Sequence, residues 1–402
     1  MVSRIKVVLI FLFFSTSITF GSLDEQKAKW KGKIEFENGV KVIKNPSEPL
    51  YGEITYELEE DLSIGNEDDE NYMFYRTVRI AVDAEENILV SDSGNCRIQK
   101  YDKNGNYLQT IGGKGQGPGE FEESWGIHLD SEDNIYVGDS RRHNINVFGK
   151  TGEFKRVIRL PSFTFNFGTT KEESVLMIYT SRIPEKPREG KRSLISVNPE
   201  GKIIQTIASY PYELPPMIKG RMLGNPYSYR LYFFPAKSGG GVYGHSSEYK
   251  LFVLNSSGNL SYIIEMNRPP DPITNKDKNR RIDRYLETQR PTARGEKLSR
   301  SEVKRAYIFP EFKPFFDGII GDDEGRIYVR MFKLYDPDDS SLYYDFFSKE
   351  GYYLYKIKIP FFPFMIRKGY VYSTKSDPDT GYLKIIRYKI KNWEQIKKKI
   401  SQ

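Results

Sequence analysis

The chain has one cysteine and three histidines in 402 residues. A lone thiol, Cys96, excludes an intrachain disulfide, so the fold cannot be a disulfide-stapled scaffold. His128, His143 and His245 fall into no HxH or HExxH spacing, which removes the common histidine-based zinc signatures. No apolar run reaches the roughly 18 residues of a membrane-spanning helix. Strands do not alternate with helix-period segments, so a parallel α/β sheet is not expected. The net charge is +7, yet no helix-turn-helix or RNA-binding signature accompanies it, and nucleic acid is not an expected partner. The loop GGKGQGPGEF at 112–121 lacks the GK[ST] ending of a phosphate-cradling loop, and the acidic turns DAEEN, DSEDN and DDEGR are too short for calcium loops.

Repetition is what the chain does have. Residues 81–93 read AVDAEENILVSDS and residues 128–140, 47 residues on, read HLDSEDNIYVGDS, the two aligning without a gap; IGDDEGRIYVR at 320–330 is a third. Each copy is an aspartate, a short polar turn and an alternating run of β-branched or aromatic residues, the pattern of a β-hairpin. A hairpin recurring at this period suits the blade of a propeller, a four-stranded sheet. The abundance of aromatics (29 Tyr and 25 Phe) suits sheets packed on both faces.

The longer unit, VRIAVDAEENILVSDSGNCRIQKYDKNGNYLQTI followed by GGKGQGPGEF, resembles the NHL repeat: a glycine-rich loop, a GIAVD-dGNIYVaDs hairpin, an N-R-I-Q-V-F strand and a d-G turn. The match is close for two blades and looser for the rest. The resemblance implies an all-β, six-bladed β-propeller of a bacterial extracytoplasmic type. It also implies a binding scaffold more often than an enzyme. A minority of such proteins are lactonases or lyases with a metal in the central channel, and calcium enters only under that alternative.

Six blades are expected at about 74–111, 121–160, 163–208, 228–266, 313–359 and 361–391. The last lacks an outer strand. KIEFENGVKVIKN at 33–45 places Asn38-Gly39 between two alternating runs, a strong hairpin signal. This N-terminal hairpin is expected to complete blade six and close the ring.

The first 22 residues stand apart. Arg4 and Lys6 precede an apolar run from Val7 to Phe14, and Thr19 and Gly21 offer small residues for cleavage, as in a secretory signal peptide. Residues 23–402 would then form the propeller, periplasmic or secreted, with no stable membrane span after cleavage. Residues 270–310 depart from the repeat. Between 271 and 309, eleven lysines and arginines face six acids, and NRRIDRYLETQR and SRSEVKRAYIF have a helical period, with Ser299 and Glu302 forming a capping box. A basic helical insert between blades four and five is expected, either an ordinary solvated surface or a lid that draws anions.

Propeller geometry directs the search for a site. The second strand of each blade returns antiparallel to the innermost one, so second-strand ends share a rim with first-strand entries. Asp92 and Asp139 recur at equivalent places and are expected to cap turns. Arg182, His245 and Arg330 stand where that aspartate would be, and Arg76 and Trp125 enter on the same rim. These five are the candidate ligand-binding residues, because guanidinium forks suit carboxylate or phosphate. The expected partner is an anionic small molecule, a glycan, a peptide or a partner protein. No catalytic or metal-binding set emerges.

Overall fold

The computed structural model describes residues 29–76, 78–291, 296–334 and 339–400. The signal peptide expected at 1–22 lies outside them. Six sheets, antiparallel except for a parallel pair in each of blades four and five, stand around a common channel, and their innermost strands are Val78–Val82, Ser124–Leu129, Phe167–Thr169, Leu231–Pro235, Phe316–Gly321 and Met365–Arg367. The chain is a six-bladed β-propeller.

Each blade packs against its two neighbours, so its strands bury both faces, and Ile88–Asp92 and Ile135–Asp139 are buried at every residue. One apolar cluster fills each seam. Leu89 and Ile98 meet Ile135 and Val137 between blades one and two; Val90 and Tyr101 meet Tyr372 and Ile385 between blades one and six. The repeated aspartate builds the inner hairpin: Asp83 accepts from the Asn87 backbone N–H at 2.8 Å and its side-chain amide at 2.9 Å. Asp130 repeats this with Asn134, and Asp322 holds the backbone N–H and guanidinium of Arg326. In all three turns the residue three places after the aspartate is left-handed: Glu86 (φ 69°), Asp133 (φ 63°) and Gly325 (φ 79°).

Closure differs from the expectation. Asn38 and Gly39 do form the turn of a hairpin, with positive φ at both, joining β1 (Lys33–Glu37) to β2 (Val40–Asn45). That hairpin extends blade four, where β2 lies parallel to Leu260–Met266. Blade six is completed instead by β4 (Leu58–Ile64), antiparallel to Leu383–Ile390, while β3 (Glu53–Thr55) adds to the edge of blade five. The physical reason lies in what each strand buries. Val42 and Ile43 are fully buried, whereas Ile64 fits the seam between blades six and one. Asn45 fixes the register, because its amide donates to the Gly351 carbonyl at 2.9 Å and its side-chain oxygen accepts from the Tyr353 N–H at 2.8 Å.

The insert holds two helices, α1 (Asn275–Thr288) and α2 (Arg300–Ala306), each opened by a capping box: Thr274 with Asp277, and Ser299 with Glu302. Ile282, Leu298, Val303 and Tyr307 close around Leu223 to give this lobe a core of its own. A terminal helix, α3 (Trp393–Ile400), buries Trp393 and Ile396 against blades five and six. Among the described residues, no helix is long and apolar enough to cross a membrane.

Candidate functional site

All six innermost strands, or the residues next to them, line one cavity of about 350 Å³ along the channel. At one end its cations are paired. Lys237 contacts Asp133, and Arg367 reaches the Val82 carbonyl and lies 3.8 Å from Asp323. Nearer the second-strand rim the wall carries Arg79 from the inner strand of blade one. Its Nη1 donates to the Val78 carbonyl at 3.0 Å, and no carboxylate pairs with it among the described residues. The guanidinium lies 5.6 Å from the centre of the Phe364 ring and 5.9 Å from that of Trp125. Burial makes the charged form costlier and pushes its pKa down, yet arginine starts so far above neutrality that it stays cationic.

Trp125 packs on Phe165 at 5.3 Å and buries an indole N–H that meets no acceptor among the described residues. A half-buried cation, an unmet donor and aromatic walls together favour an acceptor-bearing ligand, since buried donors gain most when paired. His128 also faces the cavity, 3.4 Å from the Thr169 hydroxyl, and burial lowers its pKa to about 4. It is neutral at pH 7.

The five sequence candidates do not converge on this cavity. Trp125 adjoins it through Arg79. Arg330 points its guanidinium at Asp317, and its Nη2 also donates to the Asp317 carbonyl at 2.9 Å, so its fork is already engaged. His245 is buried and stacked on Tyr210 at 4.2 Å, with Nδ1 2.7 Å from the Ser247 hydroxyl; burial lowers its pKa to about 4. Arg182 is exposed, because the strands of blade three run on as a ribbon, Val175–Ile183 with Lys186–Val197 and Ile203–Glu213. Arg76 lines a separate groove of about 410 Å³ between blades one and two, with Lys114 and Arg141, and lies 3.9 Å from Glu123.

Asp92 and Asp139 serve as turn and seam anchors. Asp139 accepts from the N–H groups of Arg141 and Arg142 at 3.1 and 3.2 Å and from that of Glu122 at 2.8 Å, tying its turn to the interblade loop. Asp92 accepts from the Asn95 amide at 2.7 Å and the Tyr75 N–H at 3.1 Å. Cys96 is buried, its thiol 3.2 Å from the Glu122 carbonyl. Among the described residues, no three His, Cys, Asp or Glu side chains gather as a metal ion requires.

Sequence reasoning missed Arg79, although a signal existed. Counted from the repeated aspartate, Arg79 occupies the place held by Gly126 in blade two and Gly318 in blade five, and by glycine in the NHL pattern GIAVD. An arginine where repeats place glycine adds a long cationic side chain to the channel wall.

Comparison with known proteins supports the architecture. The DUF5128 family model, described as a 6-bladed beta-propeller, matches residues 69–233. No curated protein matches the chain. Among solved structures, a Bacteroides fragilis protein whose name describes it as exported is similar over 87% of this chain and 99% of its own, at 12% identity and a TM-score of 0.52. A Bacteroides vulgatus member of the duf4221 family covers 83% and 98% at 13% identity and a TM-score of 0.48. A Xanthomonas campestris gluconolactonase covers 89% and 94% at 11% identity and a TM-score of 0.35. The likeness extends around the ring, and what it establishes is the six-bladed propeller.

Proposed function

We propose that this propeller is an exported binding protein that takes a small anionic ligand, a carboxylate above all, in its central channel. The observation that carries the reading is Arg79, a half-buried guanidinium with no carboxylate partner among the described residues, set between Trp125 and Phe364. The channel volume, about 350 Å³, falls in the range of small-molecule sites. One carboxylate would accept the Arg79 fork bidentately, and the rings would cover the apolar part of the ligand. The basic N-terminus with its apolar run supports export, and the Bacteroides fragilis neighbour is named as exported.

Calorimetry of the purified chain against a panel of small mono- and dicarboxylates tests the reading. At least one should bind saturably, and Arg79→Gln should weaken it by about tenfold or more. Equal binding by the variant would remove the proposal. Sequencing the N-terminus of the protein recovered from fractionated cells tests export; a chain still beginning at Met1 in the cytoplasm would contradict it.

A further inference from the structure

We infer that the outer edge of β1 docks a second copy of this chain, the two β1 strands pairing antiparallel across a two-fold axis at Ile34. Blade four carries six strands, and β1 is the outermost. Its turn, Asn38-Gly39, has two residues, so Glu37 and Val40 exchange backbone hydrogen bonds beside it, and the orientation alternates from there along the strand. Glu37, Glu35 and Lys33 therefore turn their N–H and C=O groups toward β2. Ile34 and Phe36 turn theirs outward, where no strand meets them among the described residues. An open edge of this kind is a template for another strand.

The side chains select which strand. Ile34 and Phe36 lie on one face, 42% and 72% exposed, and no large apolar side chain among the described residues is more exposed than Phe36. The opposite face reads Lys31, Lys33, Glu35, Glu37, so its sign changes midway. Within one chain Lys33 lies 2.5 Å from Glu35, and Lys44 lies 2.5 and 2.9 Å from Glu35 and Glu37. Pairing with a copy does not require these charges to be free, because a carboxylate accepts from several donors. What counts is their order. A parallel copy in register would oppose Lys33 to Lys33 and Glu35 to Glu35, and like charges directly opposite are destabilising. An antiparallel copy reverses the order.

The backbone and the charges together leave one register. Outward-turned residues must oppose outward-turned residues. A two-fold axis at Lys33 or at Glu35 sets that residue against its own copy, and an axis at Phe36 sets Glu35 against Glu37. An axis at Ile34 opposes Lys33 to Glu35 on both sides, and one step further it opposes Lys31 to Glu37. Ile34 then exchanges both backbone hydrogen bonds with its copy, and Phe36 falls opposite Gly32, where no side chain hinders the ring. The outer strand of blade two, Phe154–Arg159, offers a contrast: it exposes Phe154 and Val157 but carries only the cations Lys155, Arg156 and Arg159, and so repels its own copy. The pairing at Ile34 is isologous and closes at two copies. It lies outside the channel and is independent of the ligand proposed there.

Sedimentation equilibrium of the intact purified chain at low salt tests the inference. A monomer–dimer equilibrium should appear, with a dissociation constant on the order of 100 μM because the contact is short. Lys33→Glu sets carboxylate against carboxylate across the axis, and Glu35→Lys sets ammonium against ammonium, so each variant alone should dimerise about tenfold more weakly or worse. Mixed in equal amounts, the two variants should pair with each other within about threefold of the parent affinity, since every opposition is again ammonium to carboxylate. Recovery on mixing also separates lost pairing from lost folding. A parent chain that stays monomeric up to about 1 mM, a single variant that dimerises as the parent does, or a mixture no better than its components would overturn the inference.

Discussion

Replacing Asp345 with asparagine should loosen the seam between blades four and five more than almost any other single polar change. The carboxylate lies on Leu342–Phe347 of blade five with its side chain wholly buried. It accepts from four donors: Arg268 Nη1 at 2.7 Å, Arg268 Nη2 at 3.1 Å, Tyr249 Oη at 2.5 Å and Tyr353 Oη at 2.6 Å. Arg268 and Tyr249 belong to blade four, so the cluster bridges the seam. Asparagine offers one acceptor oxygen and no charge, which strands the Arg268 guanidinium against the Tyr249 ring. Breaking a buried pair on one side costs about 3–5 kcal/mol. For a chain this long the unfolding entropy is roughly 0.8 kcal/mol/K, so Tm should fall by about 4–6 °C. Equilibrium urea unfolding and thermal melts of Asp345→Asn, Arg268→Met and the double variant provide the assay. The double variant should lose clearly less than the summed single losses. A melt of Asp345→Asn within 1 °C of the parent, or strict additivity, would refute the argument.

Two further predictions concern acid and closure. His128 and His245 both have folded pKa values of about 4 against an ordinary 6.5. The unfolded chain therefore binds protons first, and stability falls as pH drops below 6.5 and levels off below 4. Between pH 7.5 and 5 this amounts to about 2 kcal/mol for each histidine; urea midpoints should show it, and His128→Gln should flatten the slope, an unchanged slope being the contrary result. Ile64→Ala in the closing strand β4 should cost about 2–5 kcal/mol, because Ile64 is 2% exposed in the seam between blades six and one. Phe36→Ser in the edge strand β1, where Phe36 is 72% exposed, should change stability by no more than about 0.5 kcal/mol; comparable losses for the two would mean that both strands close the ring.

The blades were legible because the inner hairpins of blades one, two and five repeat the same local bargain, an aspartate cap and a left-handed third residue, and local rules are written in local sequence. Closure was not, because the closing strand LEEDLSI carries no repeat signature and its partner lies more than 300 residues away. The Asn38-Gly39 turn predicted a hairpin correctly but said nothing about which edge would receive it. Arg330 looked available because its neutraliser depends on an irregular register. Phe316 pairs with Met331 and Gly318 with Arg330, which leaves Asp317 bulged beside the guanidinium. The ribbon of blade three, which stacks Tyr210 on His245, runs on through SYPYE, where Tyr210 and Tyr212 alternate with exposed Ser209, Pro211 and Glu213 and so continue the strand beyond the expected end of the blade at 208.

The N-terminal strands have a consequence for the order in which the molecule can be assembled. The chain lays β2 on blade four, β3 on blade five and β4 on blade six before it begins blade one, and so travels around the ring one and a half times. The earliest of these residues to leave a ribosome have partners that are made last: Asn45 waits for Tyr353, and Ile64 for Ile385. Until blades four, five and six are made in turn, β2, β3 and β4 present unpaired backbone edges, the kind of surface that recruits other chains. Loop closure over such separations is slow, so the final latch sets the pace of folding. A nascent chain cut short in blade six would keep most of its blades yet leave β4 without a sheet to join.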